Sequence, residues 1–553
     1  MILESIEITG FRGLNRLALI LENNNVLIGE NAWGKSSLLD ALTLLLAPQP
    51  GLYQFTANDF HFPPGNLNQR ERHLQITFSF REGEAGHHQA PRYQALNSLW
   101  QQGTDGLQHI VYRVSGELDH QQQVTTRHQF LDHNQQPIAD NQQQVHALIA
   151  LHPVLRLRDA RFTRRLRHAT DATQNASDLD ALARQIDTLT RDLVSRPEHL
   201  SDHALREGLK TMQQLLEHYF SVQSPEQSSP RGRVSYHARE TPQGWRYLNY
   251  LNQLIADADS RSRQLIVLQM FALLAQARGA YRLDADARPL LLVEDPETRL
   301  HPTMLAVAWG LLELLPLQKI TTTNSSELLS QVPVEQVCRL VREPTRVAAW
   351  RLAPGIMSAE DSRRIAFHIR FSRPSSLFAR CWLLVEGETE VWIMNELARQ
   401  CGHHFAAEGV KVIEFAQSGL RPLLKFAQRM GIEWHVLTDG DEAGKKYAAT
   451  ARSMFGAQHE VESDHLTQLP ALDMEHFLYR QGFNQVYHRI AHLPDNVPMN
   501  LRRIIAKAIQ RSSKPELAIA VAMDAAERGT ASIPPILRQM FSRVLWLARG
   551  QAD

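Results

Sequence analysis

The stretch NVLIGENAWGKSSLLDALTLLL, residues 25–46, sets the expected fold of the first part of this chain. It contains the pattern G-x-x-x-x-G-K-S between an apolar run and a helix-like series of leucines. In such a loop the backbone N–H groups surround phosphates, the lysine reaches the β and γ oxygens, and the serine hydroxyl binds magnesium. We therefore predict a strand, an ATP-binding loop and a helix. The expected ATP contacts in this loop are Gly29, Asn31, Gly34, Lys35, Ser36 and Ser37.

Composition narrows the class of protein. The chain has 553 residues, which predicts two to four domains, and 59 basic residues balance 59 acidic ones. A balanced total neither supports nor excludes nucleic acid, because a basic face can lie within it. Three widely spaced cysteines (Cys338, Cys381 and Cys401) fit neither a zinc ribbon nor a disulfide framework, so we expect a cytoplasmic protein. The longest apolar stretch, 305–317, is too short for a bilayer, and no membrane partner is expected.

A second feature of the nucleotide site is RPLLLVEDPETRLHP, residues 288–302. Four apolar residues lead into Glu294 and Asp295. Adjacent side chains at a strand end point in opposite directions, so one acid can serve the magnesium ion and the other the attacking water. We assign Glu294 to the metal and Asp295 to catalysis. The alternative is a pair of solvated acids before a turn, which the apolar lead-in disfavours.

Two further stretches, CWLLVEGETEVWIMNEL (381–397) and WHVLTDGDEAGKK (434–446), each run from apolar residues into acids, a glycine and a helix-like pattern. Glu386 and Glu390 are spaced to face one point, and Asp439 and Asp441 share a side. Carboxylates at the ends of parallel strands suit Mg²⁺ or Mn²⁺, and two such ions can clamp both oxygens of a phosphodiester. The spacing of these acids does not fit the calcium-binding loop of an EF-hand. Two unrelated solvated acid turns remain the alternative.

The opening ITGFRGLNRLAL (8–19), the loop and PETRLHP together resemble the ATP-binding-cassette branch that includes SMC, RecF and Rad50-like ATPases. That resemblance implies ATP held between two heads, hence a homodimer. The region expected to carry the signature motif reads ADSRSRQ, with Ser260 and Ser262 but no glycine pair. The resemblance also places Asn324 where a histidine usually touches the γ-phosphate, so Asn324 is a further expected ATP contact. Both departures predict slow ATP hydrolysis.

VEGETE followed by DGD resembles the Toprim domain, and a cassette ATPase in front of a Toprim domain resembles the OLD (overcoming lysogenization defect) family. This resemblance covers roughly 1–75, 150–170, 255–340 and 377–553. It implies two metal ions held by Glu386, Glu390, Asp439, Asp441 and a later acid, Glu475, with Asp473 as the second choice. It also implies that Lys514, in SSKPELAIA, stabilises charge on the phosphate. A surface lysine at a helix start is the alternative. The expected catalytic residues are thus Glu386, Asp439, Asp441, Lys514 and Asp295.

The expected fold class is α/β: a P-loop ABC-type ATPase domain with a helical insertion, then a Toprim domain with a parallel, Rossmann-like sheet and a helical end. The predicted divisions are 1–170 and 246–360 for the ATPase, 171–245 for the insertion and 375–553 for Toprim. Residues 353–376 are interpreted as the connection between the two domains. Leucines in the insertion are spaced for either a dimer seam or an intramolecular helix pair.

Arginines crowd into LRLRDARFTRRLRH, residues 155–168. We expect phosphate contacts among them, to DNA or to nucleotide, and the alternative is that they pair with nearby acids. The arginines concerned are Arg156, Arg158, Arg161, Arg164, Arg165 and Arg167.

The sequence favours an ATP-binding, metal-dependent DNA endonuclease or nickase, with DNA, a second copy of the chain and a helicase or other protein as expected partners. Nothing in it supplies the DNA-gate tyrosine of a type II topoisomerase, and three scattered cysteines cannot build the zinc ribbon of a primase. The competing interpretation is non-catalytic: an SMC- or RecF-like ATPase switch or DNA-binding scaffold whose Toprim domain is idle.

Overall fold

The computed structural model describes residues 1–31, 33–48, 51–62, 70–138, 142–157, 203, 287–298, 302–315, 317–353, 355–455, 461–494 and 498–550. The chain forms two compact units, Met1–Val332 with Gln336–Ala349, and Pro333–Glu335 with Trp350–Asp553. In the described ranges no helix is long and apolar enough to span a bilayer. The predicted insertion (apart from residue 203), the signature region at Ser260 and Ser262, and the arginines that follow Arg156 in 155–168 lie outside these ranges.

The first unit is built around one large mixed sheet with helices beside it. Its strands are β1 (Ile2–Phe11), β2 (Leu14–Ile20), β3 (Asn24–Ile28), β4 (His73–Arg81), β5 (Gln101–Gln102), β6 (Gln108–Leu118), β7 (Val124–Leu131), β8 (Val154–Leu157), β9 (Leu290–Glu294), β10 (Lys319–Thr322), β11 (Val337–Arg342) and β12 (Val347–Arg351). Its helices are α1 (Lys35–Leu45), α2 (Gln142–Leu151), α3 (Pro302–Leu314) and α4 (Ser326–Gln331).

The parallel part of this sheet places the predicted nucleotide residues together. Strands β8, β9, β10, β3 and β11 are neighbours in that order, and each adjacent pair is parallel. Strand β10 therefore lies between β3, which leads into the phosphate-binding loop, and β9, which leads into Glu294. Because parallel strands end at the same edge, residues that follow β3, β9 and β10 meet there.

Strands β1, β2, β4, β5, β6 and β7 form an antiparallel part of the sheet, as the alternating pattern over 74–146 predicts, and β12 joins it by pairing with β2 in parallel. Strand β1 pairs with β2 and β4, and β6 pairs with β4 and β7, all antiparallel. Alternate residues of these strands are buried against a core that includes Ile6, Ile8, Phe78 and Tyr112. The β1–β2 turn, which contains Arg12 and Gly13, lies close to α1. The Gly13 N–H donates a hydrogen bond to Ser37 Oγ of that helix at 3.2 Å.

The second unit has a smaller parallel sheet of β13 (Cys381–Val385), β14 (Val410–Glu414), β15 (Glu433–Thr438) and β16 (Leu466–Gln468). The strand order is β14-β13-β15-β16, with every pair parallel. Its helices are α5 (Ala359–Ile365), α6 (Glu388–Gln400), α7 (Leu420–Arg429), α8 (Glu442–Arg452), α9 (Glu462–His465), α10 (Met474–Leu478), α11 (Asn484–Ala491), α12 (Leu501–Arg511), α13 (Lys514–Arg528) and α14 (Pro535–Arg549). A π-helical turn (Ala366–Phe371) continues α5.

Strand β13 is the centre of this second sheet and is fully apolar, with every side chain buried. Such continuous apolar runs are typical of parallel strands covered on both faces. Strand β13, the first of this sheet in the sequence, has β14 on one side and β15 on the other. The connections to β14 and to β15 therefore run in opposite directions at the carboxyl end of β13. Open parallel sheets bind ligands in the crevice at such a point. Glu386 and Asp439, which directly follow β13 and β15, stand at this crevice.

Candidate functional site

The phosphate-binding loop has the backbone shape that its glycines permit. Gly29 and Gly34 have φ values of 152° and 91°, and a Cβ on Gly34 would collide with the side chain of Leu14. Gly34 caps α1, and no acid lies in the first turn of that helix. The free N–H groups there are suited to an anion. Lys35 is buried while Ser36 is exposed at the start of the helix.

Lys35 is already engaged by groups at the carboxyl edge of the sheet. Its Nζ donates to the Gly29 carbonyl and to Asn324 Oδ1, the latter at 2.9 Å. Burial lowers the pKa of Lys35, and the charges of Asp295 and Glu297 oppose that shift. Asn324 thus contacts the lysine that is predicted to hold the γ-phosphate. This position suits the ATP contact that the sequence predicts for Asn324.

Glu297 is a site residue that the sequence analysis leaves without a role. Its Oε1 accepts a hydrogen bond from the Asn324 N–H at 2.7 Å, and its Oε2 accepts one from Thr323 Oγ1 at 2.9 Å. Glu297 therefore holds the loop after β10 beside Lys35. The sequence does contain a sign of this role, because Glu297 in PETRLHP is a third acid shortly after a buried strand.

Glu294 and Asp295 point in opposite directions, as predicted for adjacent acids at a strand end. Asp295 faces β10, where its Oδ1 accepts from Thr322 Oγ1 at 3.0 Å and its N–H donates to the Thr322 carbonyl at 3.1 Å. It holds a left-handed backbone with φ of 41°. Glu294 faces away and accepts two hydrogen bonds from Arg156, each at 3.0 Å. The acid assigned to magnesium is thus paired with an arginine in this structure.

Arg156 begins a chain of alternating charges, which we call the ion chain. Its Nη1 donates to Asp40 Oδ1 at 2.6 Å, and Asp40 Oδ2 accepts from Arg12 Nη1 at 2.6 Å. Arg12 Nε donates in turn to Asp59 Oδ1 at 3.0 Å. Arg156 is 8% exposed, and its guanidinium pairs with acids on two sides. For Arg156 the alternative interpretation, pairing with nearby acids, is the one observed.

In the second unit, six acids lie around the carboxyl edge of β13 and β15. We call the set the carboxylate cluster: Glu386, Glu390, Asp439, Asp441, Asp473 and Glu475. Glu386 and Asp439 follow the two strands directly, and Glu390 lies in the first turn of α6. Asp441 caps α8, where its Oδ1 accepts from the Gly444 N–H at 2.7 Å. Asp473 likewise caps α10 and accepts from the His476 N–H at 2.8 Å.

The charges of the cluster repel one another. Burial, followed by the charges of Glu386, Glu390, Asp473 and Glu475, raises the pKa of Asp439 to about 8. Burial also raises the pKa of Glu386, helped by Asp441 and Glu390, and burial raises the pKa of Glu390. Partly buried carboxylates that raise each other's pKa mark a place where negative charge is uncompensated.

Lys514 supplies a positive charge to this cluster. Its Nζ lies 3.0 Å from Glu475 Oε1, and Glu475 is buried. Burial lowers the pKa of Lys514, but the charges of Glu475, Glu390 and Asp473 outweigh it, so the net shift is upward. Lys514 starts α13, and its side chain is 52% exposed while its ammonium group contacts the acids. Glu475 makes this contact, whereas Asp473 is occupied as the cap of α10 and by His476 Nδ1 at 2.7 Å.

The chemistry of the cluster fits a hard divalent cation. Among the residues that the structure describes, no three His, Cys, Asp or Glu side chains converge closely enough to enclose a metal ion by themselves. Mg²⁺ is commonly held by one or two carboxylates, with water and substrate phosphate completing its shell. All-oxygen donors and uncompensated charge around Asp439 meet that requirement. The residues that would hold it are those predicted: Glu386, Glu390, Asp439, Asp441 and Glu475.

Known proteins resemble both parts of the chain. The family described as "Protein of unknown function (DUF2813)" matches residues 1–376, and "Overcoming lysogenization defect protein-like, TOPRIM domain" matches residues 377–441. The uncharacterized protein YbjD of Escherichia coli (strain K12) is 63% identical over 555 residues, which cover 100% of each chain. Endonuclease GajA of Bacillus cereus (strain VD045) is 21% identical over 465 residues, 80% of this chain and 75% of GajA.

Two solved structures are also similar, at low scores. The C-terminal region of the Burkholderia pseudomallei OLD protein has 18% identity and a TM-score of 0.27, covering 31% of this chain and 99% of that one. The SMC head domain from Thermotoga maritima has 12% identity and a TM-score of 0.30, covering 64% of this chain and 100% of that one.

The match to residues 377–441 confirms the predicted resemblance to the OLD family in the Toprim part of the chain, and the large mixed sheet and smaller parallel sheet have the expected α/β class. The chain belongs to the DUF2813 family, and its second unit carries a Toprim domain of the overcoming-lysogenization-defect type.

Proposed function

We propose that this protein is a divalent-metal-dependent DNA endonuclease or nickase that binds ATP, and that its first unit regulates cutting by the Toprim carboxylates. The observation that carries the proposal is Asp439, a carboxylate whose burial, together with the charges of four other acids around it, raises its pKa to about 8. Such a site stores negative charge that a cation neutralises. The similarity to the endonuclease GajA supports DNA cutting as the reaction.

The proposed roles of the Toprim residues follow from their positions. Glu386, Glu390, Asp439, Asp441 and Glu475 would bind one or two Mg²⁺ or Mn²⁺ ions. When bound, such ions supply the charge that activates water and stabilises the leaving oxygen of a phosphodiester. These carboxylates would orient the scissile phosphate at the crevice between the ends of β13 and β15.

Lys514 would act on the phosphate itself. Its ammonium group borders the cluster through Glu475, and its pKa is raised, so it stays protonated at neutral pH. A fixed positive charge beside a phosphate stabilises the negative charge that grows in the transition state. Glu475 would fix the position of this charge as well as bind a cation.

We infer that the first unit binds ATP and hydrolyses it slowly. Lys35 and the free N–H groups at the start of α1 would hold the phosphates, with Ser36 and Glu294 serving magnesium and Asp295 the attacking water. Asn324 hydrogen-bonds to Lys35 in place of a histidine, and its amide is neutral. A neutral donor stabilises bound ATP better than a more highly charged transition state. ATP would then act as a switch, in a homodimer of two heads.

The decisive experiment is incubation of the purified protein with supercoiled plasmid in Mg²⁺ or Mn²⁺, with and without ATP. We expect nicked or linear product that disappears in EDTA and in the Glu386→Ala and Asp439→Ala variants. The matched control is Glu442→Gln, which removes the carboxylate next to Asp441. The side chain of Glu442 is 85% exposed. This control should cut as the parent does.

Two results would oppose the proposal. Equal cutting by Glu386→Ala and the parent would place the activity elsewhere or in a contaminant. No cutting of plasmid by the parent under any metal and nucleotide condition, combined with intact ATP binding, would favour the non-catalytic switch.

A further inference from the structure

The segment that joins the two predicted domains is a helix with an unusual composition. Residues 362–373 read SRRIAFHIRFSR, with four arginines, one histidine, two phenylalanines and no acid. We call this stretch the basic segment. It begins in α5 and passes through the π-helical turn, where the Ser372 N–H donates to the Phe367 carbonyl at 3.1 Å. Inside helices such π-type turns are rare and occur frequently at functional sites.

The basic segment buries one face and exposes the other. Ile365 and Ile369 are fully buried, one turn apart, and anchor the helix. Phe367 and Phe371 are 60% and 58% exposed, also four residues apart, so they lie on one face. Exposing two large aromatic rings to water is unfavourable, and such patches mark binding surfaces. The Arg370 guanidinium lies 4.8 Å from the centre of the Phe371 ring, which places positive charge directly beside this apolar face.

One end of the basic segment contacts residues next to the carboxylate cluster. Arg373 Nη2 lies 3.0 Å from Glu414 Oε1, at the end of β14, and 3.8 Å from Glu388 Oε1. Glu388 stands between Glu386 and Glu390 in the sequence, at the start of α6. This end of the basic segment is thus anchored beside the predicted metal site.

Another arginine of the basic segment, Arg364, borders the start of α7. Arg364 Nη1 lies 3.4 Å from the point where a Cβ on Gly419 would stand. Gly419 precedes α7, which has no acid and one arginine, Arg421, in its first turn. Ser418 Oγ is buried there without a hydrogen-bond partner among the described residues. A helix start with free N–H groups, an unpartnered hydroxyl and two arginines is suited to a phosphate.

We propose that the basic segment and the start of α7 form the surface that holds a DNA strand beside the carboxylate cluster. Phe367 and Phe371 would stack on unpaired bases, while Arg363, Arg364, Arg370 and Arg421 would contact backbone phosphates. Exposed aromatics interleaved with basic residues are the combination that binds single-stranded nucleic acid. The exposed pair between Arg364 and Glu360 is weak enough to exchange for a phosphate. This inference rests on the proposed function, of which it specifies the substrate as DNA with unpaired bases.

The test measures DNA binding without cutting. A short fluorescein-labelled single-stranded oligonucleotide is titrated with the full chain in EDTA, and anisotropy gives the affinity. We expect the double variant Phe367→Ala/Phe371→Ala to bind at least about tenfold more weakly, since stacking contributes about 1–3 kcal/mol per base. Phe367→Trp/Phe371→Trp should restore binding. The matched control is Trp546→Ala, which removes another aromatic residue that is 57% exposed and lies beside an arginine, Arg543.

A second measurement separates the arginines from the rings. The double variant Arg363→Gln/Arg364→Gln should lower the slope of log affinity against log salt by about 1.4, because each phosphate contact on a single strand contributes about 0.7. Arg502→Gln/Arg503→Gln, an adjacent exposed pair on α12, should leave that slope unchanged. Abasic positions in the oligonucleotide should weaken its binding to the parent. They should leave its binding to Phe367→Ala/Phe371→Ala unchanged.

The outcomes are distinguishable. Parent protein that cuts plasmid, together with phenylalanine variants that bind DNA as tightly as the parent, would refute this surface and leave the proposed function intact. Parent protein that neither binds nor cuts DNA would overturn both. Phenylalanine variants that bind DNA normally but change their mass in solution would show that the face is a contact between copies of the chain, which also refutes the proposal.

Discussion

Replacing Asp439 by asparagine should stabilise the metal-free protein while abolishing cutting. The carboxyl pKa rises from 3.8 to about 8 in the folded chain. Each pKa unit corresponds to about 1.36 kcal/mol, so full ionisation of Asp439 costs the folded state up to about 6 kcal/mol. Neighbouring acids can take up protons instead, which relieves part of that cost. We expect Asp439→Asn to gain at least about 2 kcal/mol where the parent is fully ionised.

The pH dependence of this gain has a definite sign. Between about pH 4 and pH 8 the folded parent holds a proton on Asp439 that the unfolded chain has lost, so its stability falls as pH rises through that window. Asparagine does not titrate. The two proteins should therefore melt alike below about pH 4, diverge up to about pH 8, and keep a constant difference above it.

Thermal melting in EDTA from about pH 4 to pH 9 measures the effect. For a unit of roughly 200 residues, 2 kcal/mol corresponds to a rise of about 5 °C in melting temperature. Glu442→Gln, the exposed control, should melt as the parent does at every pH. Added Mg²⁺ or Mn²⁺ should raise the melting temperature of the parent more than that of Asp439→Asn. Coincident profiles for parent and variant across the whole range would refute the argument that this carboxylate is crowded.

Three further outcomes are expected. Lys35→Ala should abolish ATP binding, and the parent should hydrolyse ATP at less than about one turnover per second. Rapid steady-state hydrolysis by the parent, with an equal rate for Asn324→Ala, would show that Asn324 has no part in slowing the reaction. Arg156→Ala should lower the unfolding free energy by about 3 kcal/mol, because it removes a buried cation that pairs with both Glu294 and Asp40. Arg127→Ala, at an exposed pair, should change it little, and equal chemical denaturation curves for the two variants would contradict this. Lys514→Ala should reduce the rate of plasmid cutting at saturating Mg²⁺ by about a hundredfold; an unchanged rate would place the lysine outside the reaction.

The sequence sufficed wherever a few adjacent residues determine the geometry. The phosphate-binding loop, and the acids at the ends of β9, β13 and β15, follow from apolar runs that stop at a carboxylate. The partners of these acids could not be found in the same way. Arg156 and Glu294 are 138 residues apart, and their contact depends on β8 and β9 becoming neighbours. Glu297 and Asn324 meet for the same reason, because β10 lies beside β9.

The helix in the basic segment could not be predicted for a different reason. Residues 353–376, with Pro354 and Gly355 near their start, are interpreted as a connection, and the structure has α5 and the π-helical turn within this range. Only Ile365 and Ile369 anchor this helix, so its apolar periodicity is short. The wider turn also breaks the regular spacing on which helix recognition depends.

The ion chain constrains how this family can change through mutation. Arg156 serves both Glu294 and Asp40, and Asp40 serves both Arg156 and Arg12. Losing either central member removes two charge pairs at once, whereas losing one end of the chain removes one pair. Substitutions should therefore enter from the Asp59 end and proceed as compensating pairs. Relatives that have lost Glu294 should also have replaced Arg156, and these positions should be inherited together as a set.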